Sequence, residues 1–326
     1  MTQEFENLLE LLQSPNEANV NLGLILLENY KDEFEAYFKM NLERDKELFD
    51  ILIRDKYWQF KTPFDKIEDL NLLSKKLEDI PHSIALMPNL LRLRLANNNL
   101  KTVSKELKTL QNLTNLYLNS NSLDVFPVEV LDLKLLRTLN VSENKFEVVP
   151  AEIEKLQYLQ FLRLNSCMIK SLPKSFENLS ILQELSLADN QIENLPLEIS
   201  NLANLEFLSL NNNQIKKLPK EIGKFKALKR LFLDNNYLTT LPSEISQLQN
   251  LEILELRNNK LTSLPKEIGE LGNLKTLDLT DNFLKTLPSE LAKLENMANL
   301  SLFQNDFSEE EQEKINQMFP NCYVSF

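Results

Sequence analysis

LEFLSLNNNQIKKLP, residues 205 to 219, and LKRLFLDNNYLTTLP, residues 228 to 242, are one pattern written twice, 23 residues apart. Their apolar residues fit neither a helix stripe of period 3.6 nor a strict two-residue strand alternation. Stepping by 23 from Ile67 lands on Leu90, Leu113, Leu136, Leu159, Leu182, Leu205, Leu228, Leu251, Leu274 and Met297. Every one is apolar, and no insertion breaks the count. Each unit reads LxxLxLxxNxLxxLPxEIxxLxx, with proline at 81, 127, 150, 173, 196, 219, 242, 265 and 288 and Ser104 in its place once. A fixed period of this length marks a repeat architecture.

The physics of one unit explains why it must be repeated. Positions 1, 4 and 6 set three apolar side chains on one side of a short strand, and a single unit cannot bury them. Stacking eleven units makes a continuous core in which each touches only its neighbours. Positions 11, 14, 18 and 21 close the opposite wall. The proline at position 15 suits the start of a turn or a first helical position, where its missing N–H costs nothing. The glutamate at position 17 (Glu152, Glu198, Glu221, Glu244, Glu267, Glu290) then sits at a short helical start, where the local dipole favours it. Position 9 is asparagine from Asn98 to Asn305, with Cys167 as the one interruption and Lys75 before it. An amide both donates and accepts, so a column of them ties each turn to the next. Cys167 reads as a small buried filler.

At these residues the sequence resembles the leucine-rich-repeat family, in the 23-residue LPxEI class found in many bacterial proteins and in ras-suppressor-like scaffolds. The resemblance runs from Ile67 onward, about four fifths of the chain. It implies an α/β solenoid, a horseshoe with a parallel β-sheet on its concave side, whose members mostly bind other proteins.

Three segments follow: a helical N-terminal capping module over 1–64, the repeat array over 65–307, and a cap helix with a tail over 308–326. In the first, Phe5, Leu8, Leu9 and Leu12 are helix-spaced, Ser14-Pro15 with Glu17 starts a second helix, Phe34, Tyr37 and Phe38 suggest a third, and Leu48, Phe49, Leu52 and Ile53 a fourth; an independent docking module is the alternative to a cap. In the last, Ser308 followed by Glu311 is a capping box, Ile315, Met318 and Phe319 form a stripe, and Pro320 stops the helix.

Composition narrows the function. A net charge of −12 argues against general nucleic-acid binding, which rests on Lys and Arg. The start MTQEFENLLELLQ lacks the basic opening of a secretory signal, and no stretch approaches a membrane span. Cys167 and Cys322 have no metal spacing and read as free thiols in a reducing compartment. The expected location is therefore cytoplasmic, the expected state a monomer, and the expected cofactor and metal none. His82, the one histidine, has no nucleophile indicated beside it, and no phosphate-binding glycine motif occurs. Catalysis is not expected.

Binding is. Strand alternation sends positions 3, 5 and 7 outward and stacks equivalent residues about 4.8 Å apart on the concave face. One neighbourhood there holds Phe207, Arg230, Phe232, Ile253 and Arg257; an earlier one holds Arg92, Arg94, Tyr117, Phe161 and Arg163. Aromatics beside arginine are typical of interface hot spots, and the core does not need them. Aromatic and β-branched residues also suit any strand surface, which is the plain alternative. Acid at Glu255, Asp278 and Asp281 gives the face a polarity that orients a partner. The expected partner is a protein or peptide; the alternative is an exported bacterial factor that binds a host protein or glycan.

Overall fold

The computed structural model describes residues 67–81, 84, 85 and 87–326. The helical module read over 1–64 and His82 lie outside them. The chain divides into two compact units. One runs to Leu123 and includes Pro127–Leu136; the other comprises Asp124–Phe126 and Arg137–Phe326.

The first unit carries β1 (Asp69–Asn71), β2 (Arg92–Arg94) and β3 (Asn115–Tyr117), parallel and in chain order. The second carries β4 (Thr138–Asn140), β5 (Phe161–Arg163), β6 (Glu184–Ser186), β7 (Phe207–Ser209), β8 (Arg230–Phe232), β9 (Ile253–Glu255), β10 (Thr276–Asp278), β11 (Asn299–Ser301) and β12 (Tyr323–Ser325). Each of these is parallel to the next. From β4 to β11 every strand residue pairs with the one 23 positions later, as Phe207 with Arg230 and Arg230 with Ile253. The register cannot slip, because one step would turn the leucine of position 4 out to solvent. Leu205, Leu208 and Leu210 are fully buried, and their equivalents along the second unit are buried. Each contributes roughly 1.5–3 kcal/mol by leaving water.

After each strand from β2 to β10 the return path is a five-residue 3-10 turn, such as Ala151–Lys155 or Lys220–Lys224. The helical start read from the sequence is thus a single tight turn. Its proline stands one residue earlier than a first helical position. Pro150 is extended, with φ −68° and ψ 152°, and its carbonyl accepts the Ile153 N–H at 3.1 Å. Only the carbonyl is used there, so the absent N–H is no loss. Where Ser104 replaces proline, its hydroxyl accepts from the Glu106 N–H.

The asparagine column does what position 9 predicts. Asn213 is buried; its Nδ2 donates to the carbonyls of Leu187, Leu210 and Asn211 at 2.9, 3.0 and 3.1 Å. Its Oδ1 accepts the Ile192 N–H at 2.9 Å. Asn190, Asn236, Asn259 and Asn282 repeat the arrangement. Just before each of them the chain is left-handed: φ is 57° at Asp189, 56° at Asn212, 56° at Asn235 and 50° at Asn258. Asn and Asp tolerate that region best among residues with a side chain, which explains their frequency at position 8.

Cys167 is fully buried, as expected of a filler, but its repeat is altered. Met168 after it is left-handed at φ 67°, and so is Lys76 after Lys75. In regular repeats this residue donates its N–H to the preceding repeat, as Gln214 does to the Ile192 carbonyl at 2.9 Å. Without the position-9 amide the turn rearranges.

At the C-terminal end, Ser308 caps α1 (Glu309–Met318) by accepting the Glu311 N–H at 3.2 Å. Ile315 and Phe319 are buried beneath it. The tail then pairs as β12, placing Tyr323 beside Asn299.

Candidate functional site

In the second unit, position 4 of each strand lies in the core and positions 3 and 5 lie on the other face, where Ser186 and Ser209 are themselves buried. The register of β7 to β10 therefore sets two rows on the outer face of this sheet. One row runs Phe207, Arg230, Ile253; the other runs Ser209, Phe232, Glu255, Asp278. Phe207 and Phe232 are diagonal neighbours, and their ring centroids lie 5.3 Å apart at 47°. Arg230, directly opposite Phe207, holds its guanidinium 4.8 Å above that ring. The rings are half-buried because they cover each other, whereas Arg230 is exposed. A stacked pair with a cation above it is a rigid anchor with little side-chain freedom left to lose. Ile253 extends the row, half-buried, and Arg257 is exposed at its edge.

Position 7 differs in part from expectation: Leu73, Arg257 and Phe303 are exposed, but Ala96, Ser142 and Thr280 are buried rather than outward. Asn211 Oδ1 accepts the Asp234 N–H at 2.8 Å, and Asp234 accepts the Arg257 N–H at 2.8 Å. Asn165 likewise accepts from the Ala188 N–H at 2.9 Å. Beyond the three-residue strand the backbone N–H still needs an acceptor, and position 7 supplies it across repeats.

Asp234 joins Glu255 and Asp278 as a row of carboxylates beside Phe232. Burial, followed by the charge of Asp234, pushes Glu255 up to about 7. Burial also raises Asp234, against the Arg257 N–H that favours its ionised form. The sequence places Asp234 in the outward position-7 lane, but among the acids of this face only Glu255, Asp278 and Asp281 were singled out. Asp281 sits in the left-handed turn, exposed.

The earlier basic-aromatic stretch is divided between the units. Arg92, Arg94 and Tyr117 belong to the first, Phe161 and Arg163 to the second. Arg92 and Arg94 both bond to Asp69, at 2.9 and 2.6 Å. Arg163 bonds to Glu184 at 2.7 Å. These guanidinium groups are held by carboxylates of neighbouring strands, unlike that of Arg230 on its ring. A further exposed group was missed: Tyr237 and Phe283 at position 10, with the Lys260 ammonium 4.9 Å from the Tyr237 ring centroid. Position 10 had been assigned to no outward lane.

The Cys167 thiol is pushed up to about 11 by burial, which suppresses its thiolate. Among the described residues no cluster of His, Cys, Asp and Glu is arranged to hold a metal, and no helix is long and apolar enough to cross a membrane.

Comparison with known proteins places the repeats. A profile described as leucine-rich repeat region matches residues 104–195 and 185–256, and one described as leucine rich repeat matches 249–307. No curated protein matches the chain. A solved leucine-rich-repeat protein of Leptospira interrogans is 42% identical, with a TM-score of 0.78 over 79% of this chain; the chain covers 66% of that one. The ectodomain of the Arabidopsis thaliana receptor kinase GASSHO1/SCHENGEN3, solved with Casparian strip integrity factor 2, is 32% identical with a TM-score of 0.66. That match covers 73% of this chain and 30% of the receptor. An internalin of Listeria monocytogenes shares the fold at 24% identity and a TM-score of 0.67, with 80% of each chain covered. With its strand register, its asparagine column and these matches, the chain belongs to the leucine-rich-repeat family.

Proposed function

We propose that this chain is a non-catalytic interaction module that takes a protein or peptide partner on the outer face of β7 to β10. Phe207, Phe232, Arg230 and Ile253 form the anchor, and Arg257 marks its edge. The observation that carries this reading is the ring pair topped by Arg230. The repeat's core is complete without those side chains, yet they are packed against each other at the surface. A surface already ordered before docking loses little entropy on binding. The ligand-bound receptor ectodomain among the similar structures supports the general mode of action.

The test is capture from a source lysate by the full chain and by the Phe207→Ala/Phe232→Ala variant, with circular dichroism confirming an unchanged fold. Removing two hot-spot anchors is expected to weaken capture of a retained partner by about 30-fold or more. Undiminished capture by a folded variant moves the binding face elsewhere.

A further inference from the structure

The segments that leave the strands of the second unit, positions 8 to 13, build a strip apart from the docking face. They stack in register: the position-10 N–H groups of Gln191, Gln214, Tyr237, Lys260 and Phe283 each donate to the preceding repeat, at 2.8 to 2.9 Å. Side chains meet across the same step, as Lys170 with Glu147 at 2.7 Å and Lys260 over the Tyr237 ring. The charge of the strip reverses halfway along it. Residues 124–125, 143–148, 166–171 and 189–194 hold five carboxylates and two lysines; residues 212–217, 235–240, 258–263 and 281–286 hold four lysines and one carboxylate. The excess is three in each direction, in a chain of net charge −12. Large apolar side chains stand exposed in both halves: Val125, Val148 and Met168 in the acidic one, Tyr237 and Phe283 in the basic one. Scattered singly they are ordinary, but a row of them marks a contact surface.

We infer that this strip pairs two copies of the chain about a two-fold axis running between, and parallel to, the segments Gln191–Glu193 and Gln214–Lys216. An isologous contact requires a surface to complement its own rotated image. Rotation about that axis reverses the order of the repeats and keeps each position number. At position 12, Glu193 of one copy then faces Lys216 of the other, and Asp124 faces Lys285. Glu147 and Lys170 face Thr262 and Thr239, so no like charges meet in that row. At position 10, Met168 faces Tyr237 and Gln191 faces Gln214. Lys145 faces Lys260, the one like pair, but the Lys260 ammonium is turned onto the Tyr237 ring, and Glu143 and Glu147 flank Lys145. Within one chain Lys216 lies 3.8 Å from Glu193, a contact between exposed groups that is worth little alone and leaves both available. The size also suits a dimer. Eight repeats at about 4.8 Å and six residues at about 3.3 Å make a strip of roughly 35 by 20 Å. That is roughly 700 Å² per copy, near the roughly 800 Å² a standard interface takes from each partner. The monomer expected from the sequence thus gives way to a dimer.

Sedimentation velocity of the full chain over about 1 to 100 μM tests it, with a concentration-dependent dimer expected. Lys216→Glu/Lys285→Glu sets acid against acid at four contacts, and Asp124→Lys/Glu193→Lys sets base against base at the same four. Each variant, folded by circular dichroism, is expected to weaken the dimer at least tenfold. Mixed in equal amounts, the two variants are complementary at all four contacts and are expected to pair again, a recovery that misfolding could not produce. A parent chain that stays monomeric throughout, variants that dimerise as it does, or a mixture that stays apart overturns the pairing. So does a monomeric parent that retains a lysate protein which Lys216→Glu/Lys285→Glu loses, since the strip then serves an outside acidic partner.

Discussion

The Asn213 amide oxygen accepts the N–H of Ile192, 21 residues back and 2.9 Å away, while its nitrogen bonds three carbonyls. One side chain thereby fixes two successive turns. Asn213→Ala leaves at least one buried backbone group without a partner and is expected to cost about 3 kcal/mol. Asn305 is only half-buried, so Asn305→Ala should cost less. Urea unfolding of the two variants checks the order.

Cys167 is the one gap in that column, and filling it is expected to help. Cys167→Asn places an amide within reach of the Val141 carbonyl, which the thiol now faces at 3.3 Å, and is expected to add about 1 kcal/mol. A fall in melting temperature would show that the cavity is shaped for sulfur. In the parent chain a thiol reagent at neutral pH should leave Cys167 untouched until the protein unfolds, since its thiol is held at about 11.

Two glycines make opposite predictions. A Cβ built on Gly269 would lie 2.2 Å from the Glu290 carbonyl oxygen, so Gly269→Ala forces adjacent turns apart and should destabilise by about 1–3 kcal/mol. Around Gly272 a Cβ meets nothing within 4 Å. Gly272→Ala should be neutral or stabilise by about 0.5 kcal/mol through the unfolded chain. Thermal melts separate the two.

Stability should depend on pH through Glu255. Its folded-state value of about 7 lies above the ordinary 4.5, so the folded chain binds the proton more tightly than the unfolded one. The associated stabilisation is therefore complete below about 4.5 and is lost as pH rises to about 7. Relative to Glu255→Gln, the parent chain should lose stability across that window and run parallel to it above. Urea midpoints measured at pH 5, 6, 7 and 8 decide the sign.

Much of this was legible because the repeat makes each residue's role visible many times over. The 23-residue step set the strands, the leucines of positions 1, 4 and 6 set the core, and Ser308 with Glu311 set the cap. Phe207, Arg230 and Phe232 were found as outward residues on adjacent strands. That the rings stack and half-bury each other depends on side-chain rotamers, which no periodicity encodes. Position 7 misled for a backbone reason. A three-residue strand ends there, and side chains such as Asn211 and Asp234 turn to accept N–H groups of the next repeat. The left-handed residue at position 8 was written plainly in Asn212, Asn235 and Asn258 but was not used.

The most direct measurement is site-specific photocrosslinking in a source lysate. A benzophenone side chain at Phe232 reports on the sheet face, and one at Tyr158, exposed outside the strands, serves as the control. A discrete partner adduct from position 232, absent from 158 and lost with Phe207→Ala, is the predicted result. An adduct from 158 with none from 232 contradicts the assignment of the binding face.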